Sequence, residues 1–211
     1  MVEKGELKMK KGEKRKQELL DIAYRMFISR GYENTSIDDI LNEAGIAKGT
    51  YYYYFESKEQ TLEAVIEMMI EKETEAAVSI LDSDIPVLQK MVGIIASIRP
   101  APEELPIEGA LMRPENIIMH QKIKRRLIEK VLPLLSKVVE EGVEQGIFSC
   151  DNIPERVRMM LVISNEIFDE GSFTDRDVDV FIDITEKLLG AQKHSMEFIR
   201  NLIAAPVQTD M

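Results

Sequence analysis

The segment from residue 31 to residue 62 constrains the fold of this chain more than any other. Ser36, followed by Asp39, is a capping box that starts a helix, and Gly45 ends that helix after about two turns. Another short helix begins near Ala47. The preceding segment has apolar residues at helical spacing and closes at Gly31. Two short helices joined by a glycine turn, with a helix before them, predict a helix-turn-helix.

Four consecutive tyrosines, residues 51–54, distinguish the second short helix, and Phe55 follows them. At about 100° per residue, Tyr51 and Phe55 share one face, which we expect to pack inward. A helix in so small a domain cannot bury all of its sides. We therefore expect Tyr52, Tyr53 and Tyr54 to face outward, where aromatic hydroxyls beside a lysine suit DNA phosphates and base edges.

The segment carries a specific series of residues in unbroken order: Gly31-Tyr32, Thr35-Ser36, Ile40, Ala44-Gly45-Ile46, Lys48-Gly49-Thr50, Tyr52, Tyr54-Phe55, Lys58-Glu59 and Leu62. From Gln17 to Leu62 the chain resembles the DNA-binding domain of the TetR family of transcriptional repressors. Two positions depart from the family: Ala47 stands where Ser is frequent, and Tyr51 where Leu, Ile or Phe is usual. The resemblance implies an all-α protein, with an N-terminal three-helix head on a larger helical body.

The resemblance also implies a set of DNA-binding residues: Thr35, Ser36, Lys48, Gly49, Thr50, Tyr52, Tyr53, Tyr54 and Lys58. The first two would offer hydroxyls and backbone amides to a phosphate at a helix N-terminus. Residues 48–50 open the recognition helix and would lie deepest in the major groove. Tyr53 is the next candidate for a base contact, whereas Tyr52 and Tyr54 would contact phosphates. Lys58 would hold another phosphate, or it is an ordinary solvated lysine.

The charge of the chain is unevenly distributed. The net charge is −11, but residues 1–60 contain 11 basic and 11 acidic side chains, so the acidic excess belongs to residues 61–211. Residues 1–16 form a basic tail that contains Lys8, Lys10, Lys11, Lys14, Arg15 and Lys16. Such a tail can follow the DNA backbone or enter the minor groove, or it can be a solubilising extension. The sequence leaves both interpretations open.

The rest of the chain is predicted to be helical. We expect a basic tail over residues 1–16, a DNA-binding domain over 17–62, and an effector-binding and dimerisation domain over 63–205. Ser57 with Gln60 begins a long fourth helix, and another helix follows over residues 85–99. Prolines predict an irregular loop over residues 100–109. One or two helices follow over residues 114–145, with Pro133 kinking or breaking the run.

Two amphipathic helices near the C-terminus suggest a dimer. They cover residues 154–169 and a segment that starts at a capping box of Thr174 and Asp177. The resemblance implies that this pair forms a four-helix bundle with a second subunit, as a palindromic operator requires. The alternative is that the pair packs on its own core. The predicted interface residues are Val157, Met160, Leu161, Ser164, Phe168, Val178, Phe181, Ile182 and Leu189.

The resemblance implies a small-molecule effector in the body, which the sequence does not identify. Eight methionines between residues 68 and 196 suit an adaptable apolar pocket, although methionine is also ordinary core filler. The candidate effector-binding residues are Met91, Met112, Met119, His120, Met159, Ile163 and Glu166. The imidazole can supply a polar contact, and the carboxylate can meet a cationic group.

Other classes of protein find little support. The single cysteine, Cys150, excludes an internal disulfide framework and fits a reducing cytoplasm. The chain begins without an apolar signal region, and no stretch approaches about 18 consecutive apolar residues. Neither metal-ligand spacing, a phosphate-binding glycine loop nor an activated nucleophile is present. We therefore expect a cytoplasmic regulator that is not an enzyme, needs no metal or other cofactor, and contacts no membrane.

The sequence therefore predicts a sequence-specific regulator of transcription that binds double-stranded DNA. Its expected form is a homodimeric repressor, which a small apolar or amphipathic effector releases from a palindromic operator. The alternative is a DNA-binding protein of the same fold whose body binds a protein partner instead of a small molecule.

Overall fold

The structure, a computed structural model, describes residues 11–168 and 173–204, and every regular element in these ranges is a helix. The α-helices are α1 (Lys11–Arg30), α2 (Ile37–Ala44), α3 (Lys48–Tyr54), α4 (Lys58–Leu81), α5 (Val87–Ser97), α6 (Leu105–Leu111), α7 (Ile117–Glu144), α8 (Ile153–Phe168), α9 (Asp175–Leu189) and α10 (Phe198–Ala204). Short 3-10 turns cover Pro102–Glu104 and Pro114–Asn116. The predicted all-α fold is confirmed. No helix in the described ranges is both long and apolar enough to cross a lipid bilayer.

The described residues form two compact units. The first contains residues 11–69 and 100–120, and the second contains residues 70–99, 121–168 and 173–204. The predicted domain boundary at residue 62 lies within α4, which contributes residues to both units. Residues 100–120, predicted as part of the body, group with the first unit instead.

The local signals in the first unit act as the sequence predicts. The Ser36 side chain accepts a hydrogen bond from the Asp39 amide, and the Asp39 side chain accepts one from the Ser36 amide, which completes the capping box of α2. Gly45 ends α2 in the left-handed conformation, with φ of 62°. Behind these helices lies a core of buried side chains from α1 to α4: Leu19, Leu20, Ala23, Met26, Phe27, Ile40, Leu41, Tyr51, Phe55, Leu62, Val65 and Ile66.

The predicted loop over residues 100–109 is wrong, because helical turns occupy most of it. Pro102 starts a 3-10 turn and Pro106 lies in the first turn of α6. In a first turn the backbone amide has no partner one turn back, so proline costs nothing there. The Glu104 carboxylate accepts hydrogen bonds from the Ala101 amide and the Tyr24 hydroxyl, each at 2.8 Å. These bonds fasten the segment to α1 within the first unit.

The core of the second unit is formed by α5, α7, α8, α9 and α10 with the last turns of α4. Its fully buried side chains include Met91, Ile94, Leu135, Val157, Leu189 and Met196. Pro133 lies inside α7 without ending it, so of the two predicted effects, a kink or a break, the break does not occur. The buried Val131, Leu132, Leu134 and Leu135 hold the helix on both sides of that proline.

Candidate nucleic-acid interface

The inner face of α3 anchors this helix in the first unit. Tyr51 is fully buried and Phe55 nearly so, with their ring centroids 5.6 Å apart. The Tyr51 hydroxyl shares a short hydrogen bond with the Thr61 hydroxyl on α4. Burial raises the pKa of Tyr51, so this phenol stays protonated. The extra hydroxyl of Tyr51 thus has a partner inside the core, and the residue is compatible with the three-helix packing.

The outer face of α3 is open. Tyr53 is 80 % exposed, and Tyr52, Lys48 and Gly49 are exposed as well. A Cβ atom added at Gly49 would meet no other atom within 4 Å. Nothing in the free protein therefore requires a glycine at this position. This fits close approach of a partner to the helix backbone. These burials agree with the predicted division for Tyr51, Tyr52 and Tyr53, whereas Tyr54, predicted to face outward, is half-buried.

Thr50 and Tyr54 lie one turn apart at the edge of the outer face. Both are half-buried, and the Tyr54 ring packs edge-on against Tyr53 with centroids 4.9 Å apart. Both residues therefore lie at the border of the exposed surface and remain partly accessible, as expected of residues beside a face that contacts bases.

Thr35 corrects one prediction. Its side chain is fully buried, and its hydroxyl donates to the carbonyls of Gly31 at 2.9 Å and Met26 at 3.4 Å. Its backbone amide donates to the Tyr32 carbonyl at 3.2 Å. Neither donor is available to a phosphate, so Thr35 holds the turn before α2 and the predicted DNA contact by this residue is wrong.

Ser36 and Asp39 are linked by hydrogen bonds that use the groups of Ser36 predicted to contact a phosphate. Both the hydroxyl and the amide of Ser36 donate to the Asp39 carboxylate, and these bonds lower the pKa of Asp39. The carboxylate already occupies the hydroxyl and the amide of Ser36 that a phosphate would use. A contact between Ser36 and DNA stays a prediction, and it needs the serine to exchange a partner.

Lys58, in the first turn of α4, is partly occupied. Its ammonium donates to the Tyr32 carbonyl at 3.0 Å and lies 4.1 Å from the centroid of the Tyr32 ring. Two of its three N–H donors remain for another acceptor. This anchoring orients the lysine, and its predicted phosphate contact remains a prediction.

The structure places part of the predicted basic tail, residues 1–16, differently from the prediction. Residues 11–16 belong to α1 rather than to a tail, whereas residues 1–10, with Lys8 and Lys10, lie outside the described residues. An open cleft of about 660 Å³ lies between α1 and α3. We call it the α1–α3 cleft, and Gly12, Lys14, Arg15, Glu18, Thr50 and Tyr54 line it. The basic run is visible in the sequence, but its position beside α3 is set by helix packing.

The predicted dimer contacts are corrected as well. Six of those side chains are buried within the core of this chain: Val157, Met160, Val178, Phe181, Ile182 and Leu189. Leu161 and Phe168 pack against the same core, and Ser164 is half-buried. Side chains that fill their own core cannot also contact a second copy. The prediction is therefore wrong for the six buried side chains, whereas dimer contacts by Leu161, Ser164 and Phe168 stay predictions.

The candidate effector residues do not share one environment. Within the second unit, Met91 is fully buried in the core, whereas Met159 and Glu166 are exposed on α8 and Ile163 is half-buried. In the first unit, Met112 is half exposed, and Met119 and His120 are partly buried. A buried methionine and exposed α8 residues cannot line one enclosed cavity, so the predicted pocket is wrong as a set. The described residues also contain no cluster of three potential metal ligands.

Comparisons with known proteins agree on one family. Residues 19–65 match the model for bacterial regulatory proteins of the tetR family. Over 167 residues the chain is 30 % identical to the HTH-type transcriptional repressor KstR2 of Mycolicibacterium smegmatis, covering 79 % of this chain and 71 % of that protein.

Solved structures agree on the fold. RolR in complex with resorcinol superposes with a TM-score of 0.60 at 21 % identity, covering 93 % of this chain and 96 % of RolR. A putative transcriptional regulator from Saccharomonospora viridis, solved with choline, gives 0.55 at 18 % identity, covering 82 % of this chain and 96 % of that one. At these identities the likeness concerns the fold alone.

Proposed function

Because this chain belongs to the TetR family of DNA-binding transcriptional repressors, we propose that it acts as a homodimer on a palindromic operator and is released by a small effector. The observation that carries this proposal is the two-sided α3. Its inner side is locked by Tyr51 and Phe55, while its outer side presents Lys48, Gly49 and Tyr53 to a partner.

The chemistry of the outer side fits a major groove. The Lys48 ammonium can donate to the acceptors of guanine, and the Thr50 hydroxyl or methyl can meet a base edge. Gly49 lets the helix backbone approach closely, while Tyr53 extends the reading surface by one turn. Tyr52, Tyr54 and Lys58 are proposed to contact phosphates, which position the helix without reading sequence.

A homodimer follows from the small reach of one recognition helix. A seven-residue helix contacts few base pairs, and a two-fold pair doubles the contacts on a palindrome. We propose that the outer faces of α8 and α9 form this interface, because Met159 and Val162 on α8 and Val180 on α9 are each about half exposed. These positions replace the buried stripe as the contact surface.

The effector is proposed to be a small apolar or amphipathic molecule bound by the body. Support comes from two proteins of the same fold that were solved with resorcinol and with choline. The methionines Met91, Met160 and Met196 in the core of the second unit can repack around a guest at low cost. In functional terms we retain the division into DNA binding by residues 17–62 and effector binding and dimerisation by residues 63–205.

The first experiment is selection of duplex DNA from a random pool by the purified protein, followed by sequencing. Enrichment of a palindrome is the expected result, because two identical reading helices are related by a two-fold axis. Retention of DNA without a shared sequence would contradict an operator-specific repressor. The selected duplex then serves as the probe for screening compounds that release it.

A protein partner in place of the effector is the alternative. It is favoured by an apolar surface at the end of α6 and the start of α7, where Met112, Ile117 and Ile118 are all more than half exposed. If no small molecule raises the melting temperature or weakens DNA binding, while replacement of Ile118 by Glu abolishes regulation in cells without affecting DNA binding, this alternative is preferred.

A further inference from the structure

The α1–α3 cleft joins two groups of donors. Its lining includes Lys14 and Arg15 from α1, which carry an ammonium and a guanidinium, and Thr50 and Tyr54 from α3, which carry hydroxyls. A Cβ atom added at Gly12 would lie 3.8 Å from the Tyr54 hydroxyl, so the Tyr54 side chain reaches the start of α1. Lys16 adds a third cation nearby, 5.8 Å from the centroid of the Phe55 ring.

These donors match one chemical class of ligand. Ammonium, guanidinium and hydroxyl groups on side chains that line one open cleft suit a phosphate, which accepts charge-assisted hydrogen bonds from such groups. Thr50 and Tyr54 border the exposed face of α3, so a phosphate held there would belong to the strand beside the base pairs that this face contacts. DNA therefore supplies the ligand most directly.

One carboxylate works against this ligand. Glu18 lies in the same cleft, and its Oε2 accepts a hydrogen bond from Arg15 Nη1 at 2.9 Å. Both side chains are about half exposed, so the pair is easily exchanged with solvent and with a competing anion. A phosphate must displace Glu18 from Arg15 or accept its repulsion.

We propose that the α1–α3 cleft seats one phosphate of the DNA backbone, and that Glu18 lowers the affinity of this seat by holding Arg15. The inference rests on the proposed DNA-binding function and adds two residues of α1 and a restraining carboxylate to it. Because a phosphate carries no sequence information, the seat strengthens binding to all duplexes alike, and Glu18 limits retention on non-operator DNA.

The test compares Arg15→Gln with Arg25→Gln on the selected duplex and on a random duplex of equal length. Arg25 is an exposed arginine of the same helix, ten residues further along, outside the cleft. Arg15→Gln is expected to weaken binding to both duplexes equally. It is also expected to reduce the steepness of log affinity against log salt concentration by about 0.9, the value for one phosphate. Arg25→Gln is expected to leave the slope close to the wild-type value.

Glu18 is tested by Glu18→Gln and by the double variant with Arg15→Gln. Loss of the carboxylate is expected to raise affinity for both duplexes several-fold, and most of that gain is expected to vanish when Arg15 is also replaced. Ethylation interference then locates the phosphate: one position is expected to interfere with wild-type binding and not with that of Arg15→Gln. Thermal unfolding of each variant shows whether the exposed substitutions leave the fold intact.

Several outcomes would overturn the seat. They are a salt dependence of Arg15→Gln that equals the wild-type value, a loss of affinity for Arg25→Gln as large as that for Arg15→Gln, or an ethylation pattern that Arg15→Gln leaves unaltered. A gain for Glu18→Gln that persists without Arg15 would remove the restraining role. If inorganic phosphate stabilises the wild type but not Arg15→Gln, with unchanged DNA binding, the cleft holds a free anion instead. Failure to select a palindrome would contradict the proposed function alone, because the random duplex still tests the seat.

Discussion

At the scale of single residues, the fold does not require the glycine at residue 49, whereas the proposed contact with DNA does. It lies in the first turn of α3 with open space where a side chain would be, and its backbone is helical. An alanine there therefore meets no obstacle within the protein.

Gly49→Ala is expected to keep or slightly raise the melting temperature, since alanine favours helix by up to ~1 kcal/mol over glycine. The added methyl group is expected to weaken binding to the selected duplex at least tenfold, because it fills the gap between the helix backbone and the groove. Fluorescence anisotropy with the selected duplex measures the second effect. Unchanged affinity would show that the backbone at residue 49 does not approach DNA.

Tyr53 and Tyr51 form a matched pair on the same helix. Tyr53→Ala is expected to change stability by less than about 0.5 kcal/mol, because the side chain is exposed, and to reduce the ratio of affinities for selected and random duplexes. Tyr51→Ala empties a fully buried site and is expected to cost roughly 3–5 kcal/mol. Urea denaturation and competition binding measure these effects, and full discrimination by Tyr53→Ala would exclude it from base reading.

At the scale of elements, short sequence signals determine where a helix ends. The cost of replacing the glycine that ends it depends on the atoms around that glycine. Gly45 and Gly190 both end a helix in the left-handed conformation, with φ of 62° and 59°. A Cβ atom at Gly45 meets nothing within 4 Å, whereas one at Gly190 would lie 2.2 Å from the Ser149 carbonyl oxygen. The same helix-ending motif therefore has space for a side chain at Gly45 and none at Gly190.

Gly45→Ala is expected to cost about 1–2 kcal/mol, the penalty for a Cβ in this conformation. Gly190→Ala adds a collision with backbone that cannot rotate away, so we expect a clearly larger loss and a lower yield of folded protein. Thermal melts of the two variants under the same conditions make the comparison. Equal losses would mean that the 149–190 contact relaxes freely.

At the scale of the whole molecule, the proposed homodimer uses the faces of α8 and α9 that the chain leaves exposed. Their buried faces are already used in the core of the second unit. The apolar side chains Met159, Val162 and Val180 are exposed on these helices, with the exposed charged residues Arg158 and Asp179 beside two of them.

Val162→Glu and Val180→Glu are expected to give folded monomers with weak binding to the selected duplex, because a charge on each copy would face its symmetry mate. Phe181→Glu places a charge inside the core and is expected to unfold the second unit instead. Sedimentation analysis with circular dichroism distinguishes the two results. A dimer that survives both valine substitutions would place the interface elsewhere.

The sequence alone determined the elements of the head and the side of α3 that faces inward. Ser36, Asp39 and Gly45 act through neighbours within four residues, so their roles follow from local order. The burial of Tyr51 and Phe55 and the exposure of Tyr53 follow from helical periodicity and the small size of the domain. The unusual tyrosine at residue 51 needed Thr61 as a partner, which only the packed helices provide.

Tertiary structure decided which of these groups are already used within the protein. The hydroxyl of Thr35 is used by carbonyls of α1 and the turn after it, so a residue that matches a DNA-contacting motif is unavailable to DNA. The stripes of α8 and α9 meet their own core, although periodicity is the same for a core and for a dimer interface. The cleft that brings Lys14 and Arg15 beside Thr50 and Tyr54 depends on where the folded first unit places α1 and α3. Sequence specifies which groups a residue can offer, and packing decides which of them remain free to bind a partner.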